Sequence, residues 1–250
     1  MQVLTQSALN KLHGLSLQRG GPFYLKGNIM FRSLLFALTI AAAGSAHAQT
    51  APSASDIASY TGLHHAAHEG DVDEINRLIA AGVDVDVRDR SRRTPAHVAA
   101  FASHDDVLIA LANGGADMNA LENRVYDVLT IAAVANDPEM VSLAIELGNA
   151  PDLITSVYNG TALIAAAHLG HHDVVARLVE GGAPLDHINN LAWTALIEAV
   201  VLGDGGPDHI KTVQILVDAG ADKSIGDRDG VTPLQHAISR GYAEMVETLK

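Results

Sequence analysis

Thr94-Pro95-Ala96-His97-Val98-Ala99-Ala100 is the stretch that decides the fold, because the chain repeats its pattern. Working outward from it, equivalent segments begin at Thr61, Asp127, Thr161, Thr194 and Thr232, with spacings of 33, 33, 34, 33 and 38 residues. Twenty-one residues after an anchor comes a glycine: Gly82, Gly115, Gly148 and Gly182. In the fifth unit that glycine is Gly220, five places late, which accounts for the spacing of 38. An insertion therefore sits near Gly203-Asp204-Gly205-Gly206-Pro207-Asp208. Self-similarity at a period near 33 is the mark of a repeat architecture.

Each unit reads as two short helices. In the fourth, Thr161 is an N-cap, and Leu163, Ala166 and Ala167 share one helical face. Gly170 ends that helix by taking a left-handed conformation. His172-Asp173 opens the next, where Val174, Val175, Leu178 and Val179 recur at helical spacing. Gly181-Gly182 closes it, and the chain turns into a hairpin before the next anchor. Neither helix can bury its apolar face alone, so the units must stack. Hydrophobic residues make up 48% of the chain and aromatics only 4%, so Ala and Leu build this core.

The phrases Thr94-Pro95-Ala96-His97, Thr232-Pro233-Leu234-Gln235, Gly114-Gly115-Ala116-Asp117-Met118-Asn119 and Ala219-Gly220-Ala221-Asp222 resemble the ankyrin-repeat family, over about Ile57 to Lys250. The resemblance implies an all-α ankyrin-repeat solenoid of about six helix-turn-helix units with β-hairpin connections, near 57–89, 90–122, 123–155, 156–189, 190–227 and 228–250. The third unit departs most, with Asp127-Val128-Leu129-Thr130 and Gly148-Asn149-Ala150-Pro151. The resemblance also implies a concave binding groove, lined seven and eight places after each anchor and just before it. Those positions hold Phe101, Val134, Leu169, Val201 and Leu202, with Tyr126 and Trp193 at hairpin tips. An apolar strip there predicts a protein-binding interface, since contiguous exposed apolar surface marks interaction sites. Trp193, Val201, Leu202 and the insert are expected to form its hottest part.

The N-terminus reads as an export signal. Met30-Phe31-Arg32 is a short basic start, Ser33 to Ala43 an apolar run, and Ser45-Ala46-His47-Ala48 ends in a small-x-small pattern. The reading assigns 30–48 to a signal peptide cleaved after Ala48 and 49–56 to a linker. Residues 1–29 read as a misassigned extension. Without Cys at the cut, a lipoprotein is excluded. The late insert resembles that of secreted bacterial ankyrin proteins, and the expected location is periplasmic or secreted. Cleavage removes Lys11, Arg19, Lys26 and Arg32 and no acidic residue, leaving twelve basic residues against 29 acidic ones, a formal charge of −17. That charge repels nucleic acid and anionic membranes and favours a neutral or basic protein partner. No membrane insertion is expected after cleavage.

The chain lacks Cys, so no thiolate nucleophile, disulfide or Cys-ligated zinc is available. Thirteen histidines raise the question of metal. By the resemblance, His64 and His97 fill a structural position where the ring bonds backbone across a turn. Thr130, Ile164, Ile197 and Gln235 replace them elsewhere, so the position is no shared ligand. His68 and His168 stand three units apart, about 30 Å at the ~10 Å spacing of packed helices, too far for one ion. No Gly-x-Ser-x-Gly, phosphate loop or framed carboxylate pair occurs. The expectation is a non-enzymatic binding module without cofactor or metal. The alternative is an accessory role in periplasmic oxidative-stress defence or metal handling.

Overall fold

The computed structural model describes residues 51–250, so the expected extension, leader and cleavage site lie outside the described residues. The described chain opens with a helix, α1 (Ala54–Ser59), where the sequence reading places the end of a linker. Ser53 and Asp56 form a reciprocal capping box that starts it. Six helix pairs follow: α2 (Gly62–Glu69) with α3 (Val72–Ala80), α4 (Pro95–Ala102) with α5 (Asp105–Asn113), and α6 (Val128–Ala135) with α7 (Pro138–Glu146). Then come α8 (Ala162–Leu169) with α9 (His172–Glu180), α10 (Ala195–Val201) with α11 (Pro207–Asp218), and α12 (Pro233–Arg240) with α13 (Ala243–Leu249). Inner helices pack on inner helices of neighbouring units, and outer on outer.

Local chemistry sets the boundaries. Asp127, Thr161, Thr194 and Thr232 accept a backbone N–H three residues on and so cap α6, α8, α10 and α12. Gly70, Ser103, Asn136, Gly170 and Gly241 end five inner helices in the left-handed region. At Gly170 the glycine is obligatory twice over: φ is +71°, and an added Cβ would come within 2.9 Å of the His209 ring.

The inner helices meet through small side chains, with Ala66, Ala67, Ala99, Ala100, Ala132, Ala133, Ala166, Ala167, Ala199 and Ala237 all buried. Outer helices contribute the larger payload: Ile75, Leu108, Leu111, Met140, Leu178 and Leu216 are each essentially inaccessible. Burying such a side chain stabilises by roughly 1.5–3 kcal/mol.

The expected β-hairpins are narrow turns instead. Among the described residues no strand forms, and the turn of the third unit holds one isolated bridge, Thr155 to Gly160. The other turns close with single backbone bonds, such as Asp89 N–H to Arg93 O (3.0 Å) and Asn189 N–H to Trp193 O (3.0 Å). A side chain at each turn's start does the work of a ladder. Asp89, Glu122, Asn189 and Asp227 each accept two backbone N–H groups from the turn that follows.

The insert also differs from a simple loop. α11 has 12 residues where α3, α5, α7 and α9 have nine, so most of the extra length lies in a longer outer helix. Pro207 at its first turn suits a helix start.

Polar ties join successive units. The His97 Nδ1 accepts the Thr94 N–H (3.1 Å), which leaves Nε2 to donate to Tyr126 O (3.1 Å) in the next unit. His64 Nε2 bonds Arg93 O in the same way (2.9 Å). A second set of rings caps the carbonyls that end inner helices: His104 to His68 O (3.0 Å), His171 to Ala133 O (3.0 Å) and His209 to His168 O (3.1 Å). Tyr242 Oη does the same for Gly203 O (3.0 Å).

Burial pushes the His97 pKa down to about 4. The native state thus excludes a proton that the unfolded chain binds below about pH 6.5. Stability associated with His97 is complete above pH 6.5 and is lost as pH falls toward 4, by about 3 kcal/mol in total. Gln235 makes the matching cap in the last unit, so His97→Gln is accommodated. Denaturant melts between pH 7 and 4.5 should show a shallower pH dependence for His97→Gln than for the wild type; equal slopes would contradict this assignment.

Candidate interaction surface

The inner helices bury their alanine faces and turn the opposite faces outward, beside the turns. Leu169 is 41% exposed there, His168 is exposed, and Phe101, Val134 and Leu202 are half-buried. These residues stand seven or eight places after their anchors, near the ends of α4, α6 and α8 and just past α10, helices that pack side by side. Four of the seven residues expected to line the surface therefore reach it.

The other three do not stand free. Trp193 and Tyr126 are each 9% exposed and Val201 is 8% exposed. The expected exposed hairpin tips are in fact folded down. The left-handed residues Ala192 and Val125 reverse the chain immediately before them. Trp193 N–H is then held by Asn189 Oδ1 (3.0 Å) and Tyr126 N–H by Glu122 Oε1 (3.2 Å). Burial pushes the Tyr126 phenol above its usual pKa. Val201 is the last residue of α10, which does not end in a left-handed cap: Leu202 remains right-handed at φ −96°. The insert meets neighbouring units through His209, which donates to His168 O and faces Asp204 (3.2 Å), and through Tyr242.

Sequence reasoning missed an apolar contribution from the turns. Ile154, Val157 and Ile188 are 41–50% exposed. The signal was present, since an apolar Val157 stands where other turns carry Arg90, Asn123, Asn190 and Arg228. It also missed the local charge. Arg88, Arg90 and Arg92 share one turn of a strongly acidic chain, with Arg124 in the next. Asn123 N–H bonds Ser91 O (2.9 Å), which sets those two turns side by side.

Beneath the surface lies an unexpected carboxylate. Glu198, on α10, is 4% exposed. Its Oε1 accepts Asn189 Nδ2 (2.8 Å), and its Oε2 lies 3.3 Å from His168 Nδ1 on α8. Among the described residues, no three His, Cys, Asp or Glu side chains gather to hold a metal ion. His68 lies beside Glu69 (3.9 Å) and His172 between Asp173 (3.0 Å) and Asp208 (3.6 Å). Nothing in this geometry points to catalysis.

Comparison with known proteins agrees with the architecture. Models of ankyrin repeats in three copies match residues 31–122 and 129–227, and models of many copies match 207–249. The chain is 32% identical over 186 residues to the putative ankyrin repeat protein YahD of Escherichia coli K12, covering 74% of this chain and 92% of that protein. A solved ankyrin repeat domain from Acinetobacter baumannii AYE superposes with a TM-score of 0.71 at 36% identity, covering 75% of this chain and 95% of that one. The ankyrin repeat domain of Bcl-3 gives a TM-score of 0.68 at 28% identity, covering 76% and 85%. The chain belongs to the ankyrin-repeat family. That fold is a non-enzymatic scaffold that generally mediates protein–protein interaction.

The buried state of Trp193, the only Trp, has a direct consequence. Trp193→Ala removes a large packed ring and should cost about 3 kcal/mol of stability. Urea unfolding followed by circular dichroism should show the midpoint shifted down; an unchanged midpoint would place the ring at the free surface.

Proposed function

We propose that this protein is a non-enzymatic binding module that holds a protein partner on the outward face of its inner helices and adjacent turns. The observation that carries the reading is the apolar exposure there: Leu169 is flanked on successive units by half-buried Phe101, Val134 and Leu202. A solvated helix face is ordinarily polar, and apolar surface repeated across neighbouring units marks a contact face. Trp193, Tyr126 and Val201 act beneath it, supporting the surface and meeting the partner only at their edges.

The acidic balance of the chain favours a neutral or basic partner. The Arg88–Arg92 turn is a local exception to that balance. Among the described residues no helix is long and apolar enough to cross a membrane. The basic, apolar and small-residue order of 30–48 supports an envelope location, periplasmic or secreted, with Gln49 as the mature N-terminus. Terminal sequencing of the exported protein tests that location; retention of residues 1–29 would overturn it.

Leu169→Glu tests the surface. The side chain is exposed at the end of α8, so the fold should tolerate the change. Capture of the partner from envelope extract should fall at least tenfold while the thermal melt stays in place. Capture at wild-type levels would move the interface elsewhere.

A further inference from the structure

The buried carboxylate of Glu198 has no counterpart in any other unit. The equivalent positions hold His65, Val98, Ile131, Ala165 and His236, so the fold does not demand an acid there. Its pairing is also looser than that of the acids in other turns, a 3.3 Å contact with His168 that is not a hydrogen bond. In the second unit's turn, Asp89 is paired with Arg93 (3.1 Å). In the last unit, Asp227 is paired with His236 (2.8 Å). In the fifth, the turn residue is the neutral amide Asn189, and the acid sits on the helix instead. Asn189 satisfies Oε1, while Oε2 is buried and makes no hydrogen bond.

Leaving a buried carboxylate oxygen without a partner costs free energy, and an apolar residue would pack there without that cost. The imidazole of His168 stands beside Oε2, at 3.3 Å and without hydrogen-bond alignment. That ring is 45% exposed and stands between the carboxylate and the surface. Leu169, next along α8, is exposed at the same end of the helix.

We propose that Glu198 is the floor of a subsite that receives one arginine side chain of the protein partner, with His168 as its movable cover. The proposal rests on the reading that the partner binds this face. Arginine suits the site better than lysine. A planar guanidinium donates to a carboxylate, remains charged at every accessible pH, and stacks on a neighbouring ring such as His168. The prevailing negative charge of the chain favours the same ligand. The subsite would give the partner's docking a fixed register, with the apolar contacts around Leu169 on one side.

The test uses the full chain at pH 8. The probes are the acetylated, amidated peptide Leu-Arg-Leu-Leu and its isosteric citrulline counterpart, followed by the fluorescence of Trp193. Asn189 bonds both the Glu198 carboxylate and the Trp193 backbone N–H, so Trp193 fluorescence is read alongside calorimetric titration, which reports binding whether or not the indole responds. The arginyl peptide should bind at least tenfold more tightly than the citrulline peptide. Glu198→Gln, which keeps an acceptor for Asn189, should erase that preference and melt no lower than the wild type. His168→Ala should retain the preference. Equal binding of the two peptides overturns the subsite but leaves the surface standing, and so does an undiminished preference in Glu198→Gln. Absence of any response to either peptide up to millimolar concentration overturns the subsite, and the Leu169→Glu capture then judges the surface separately. A clear loss of stability in Glu198→Gln also overturns it, because the carboxylate would then already be paired within the fold.

Discussion

No helix pair in this chain can bury its apolar face by itself. Each inner helix is eight residues or fewer and each outer helix is 12 or fewer. Helices of that length are marginal in water without packing. Only a neighbouring unit supplies the missing wall. The buried alanines follow from this, because a close approach of inner helices leaves no room for larger residues on the shared faces. The polar ties obey the same rule. His97 reaches Tyr126 O and His209 reaches His168 O, each one unit away. Asp86 accepts the Asp117 N–H, and Asp186 the Asp222 N–H, again across one junction. The ends need covers, and α1 supplies one: Asp56 meets Arg93 at 3.4 Å, and Tyr60 donates to Asp89 at 3.0 Å.

This arrangement absorbs most of the residues that would otherwise suggest chemistry. His64, His97, His104 and His171 are bonded to backbone carbonyls. Asp127 is buried, caps α6 and binds Asn149 Nδ2 at 2.7 Å, with its pKa raised by desolvation. What remains free of structural duty lies on the outward faces of the inner helices and on the turns. Glu198 is buried in the scaffold, and its Oε2 makes no hydrogen bond there. Function in such a stack lives on a surface assembled from several units, so no single unit carries it.

The repeat period, the anchors, the capping threonines and the place of the insert were all legible in the sequence, because each follows from local backbone chemistry. Exposure was legible only in part. Leu169 reads correctly, since its position on α8 is set by helical spacing alone. Trp193 and Tyr126 do not, because their burial depends on how a turn with left-handed Ala192 or Val125 folds over its helix. Neither alanine nor valine advertises that conformation, as a glycine would. α1 was hidden because the boundary was set from the anchor period, which takes no account of the Ser53–Asp56 capping box. The helix-capping rings escaped notice because their position changes residue type, with His104, His171 and Tyr242 at three junctions but Asp137 at another. The charge of the whole chain concealed the Arg88–Arg92 turn, since a sum carries no location. Glu198 was invisible for a further reason: its partners come from a turn nine residues back and from the preceding unit.

If stability comes only from contacts between neighbouring units, protection must vary along the stack, since interior units have two neighbours and terminal units one. Native-state hydrogen exchange measures this directly. Amides of α6 and α8 should be the most protected, with protection falling toward α1 at one end and α13 at the other. Uniform protection from α1 to α13, or a maximum in the terminal helices, would contradict the account.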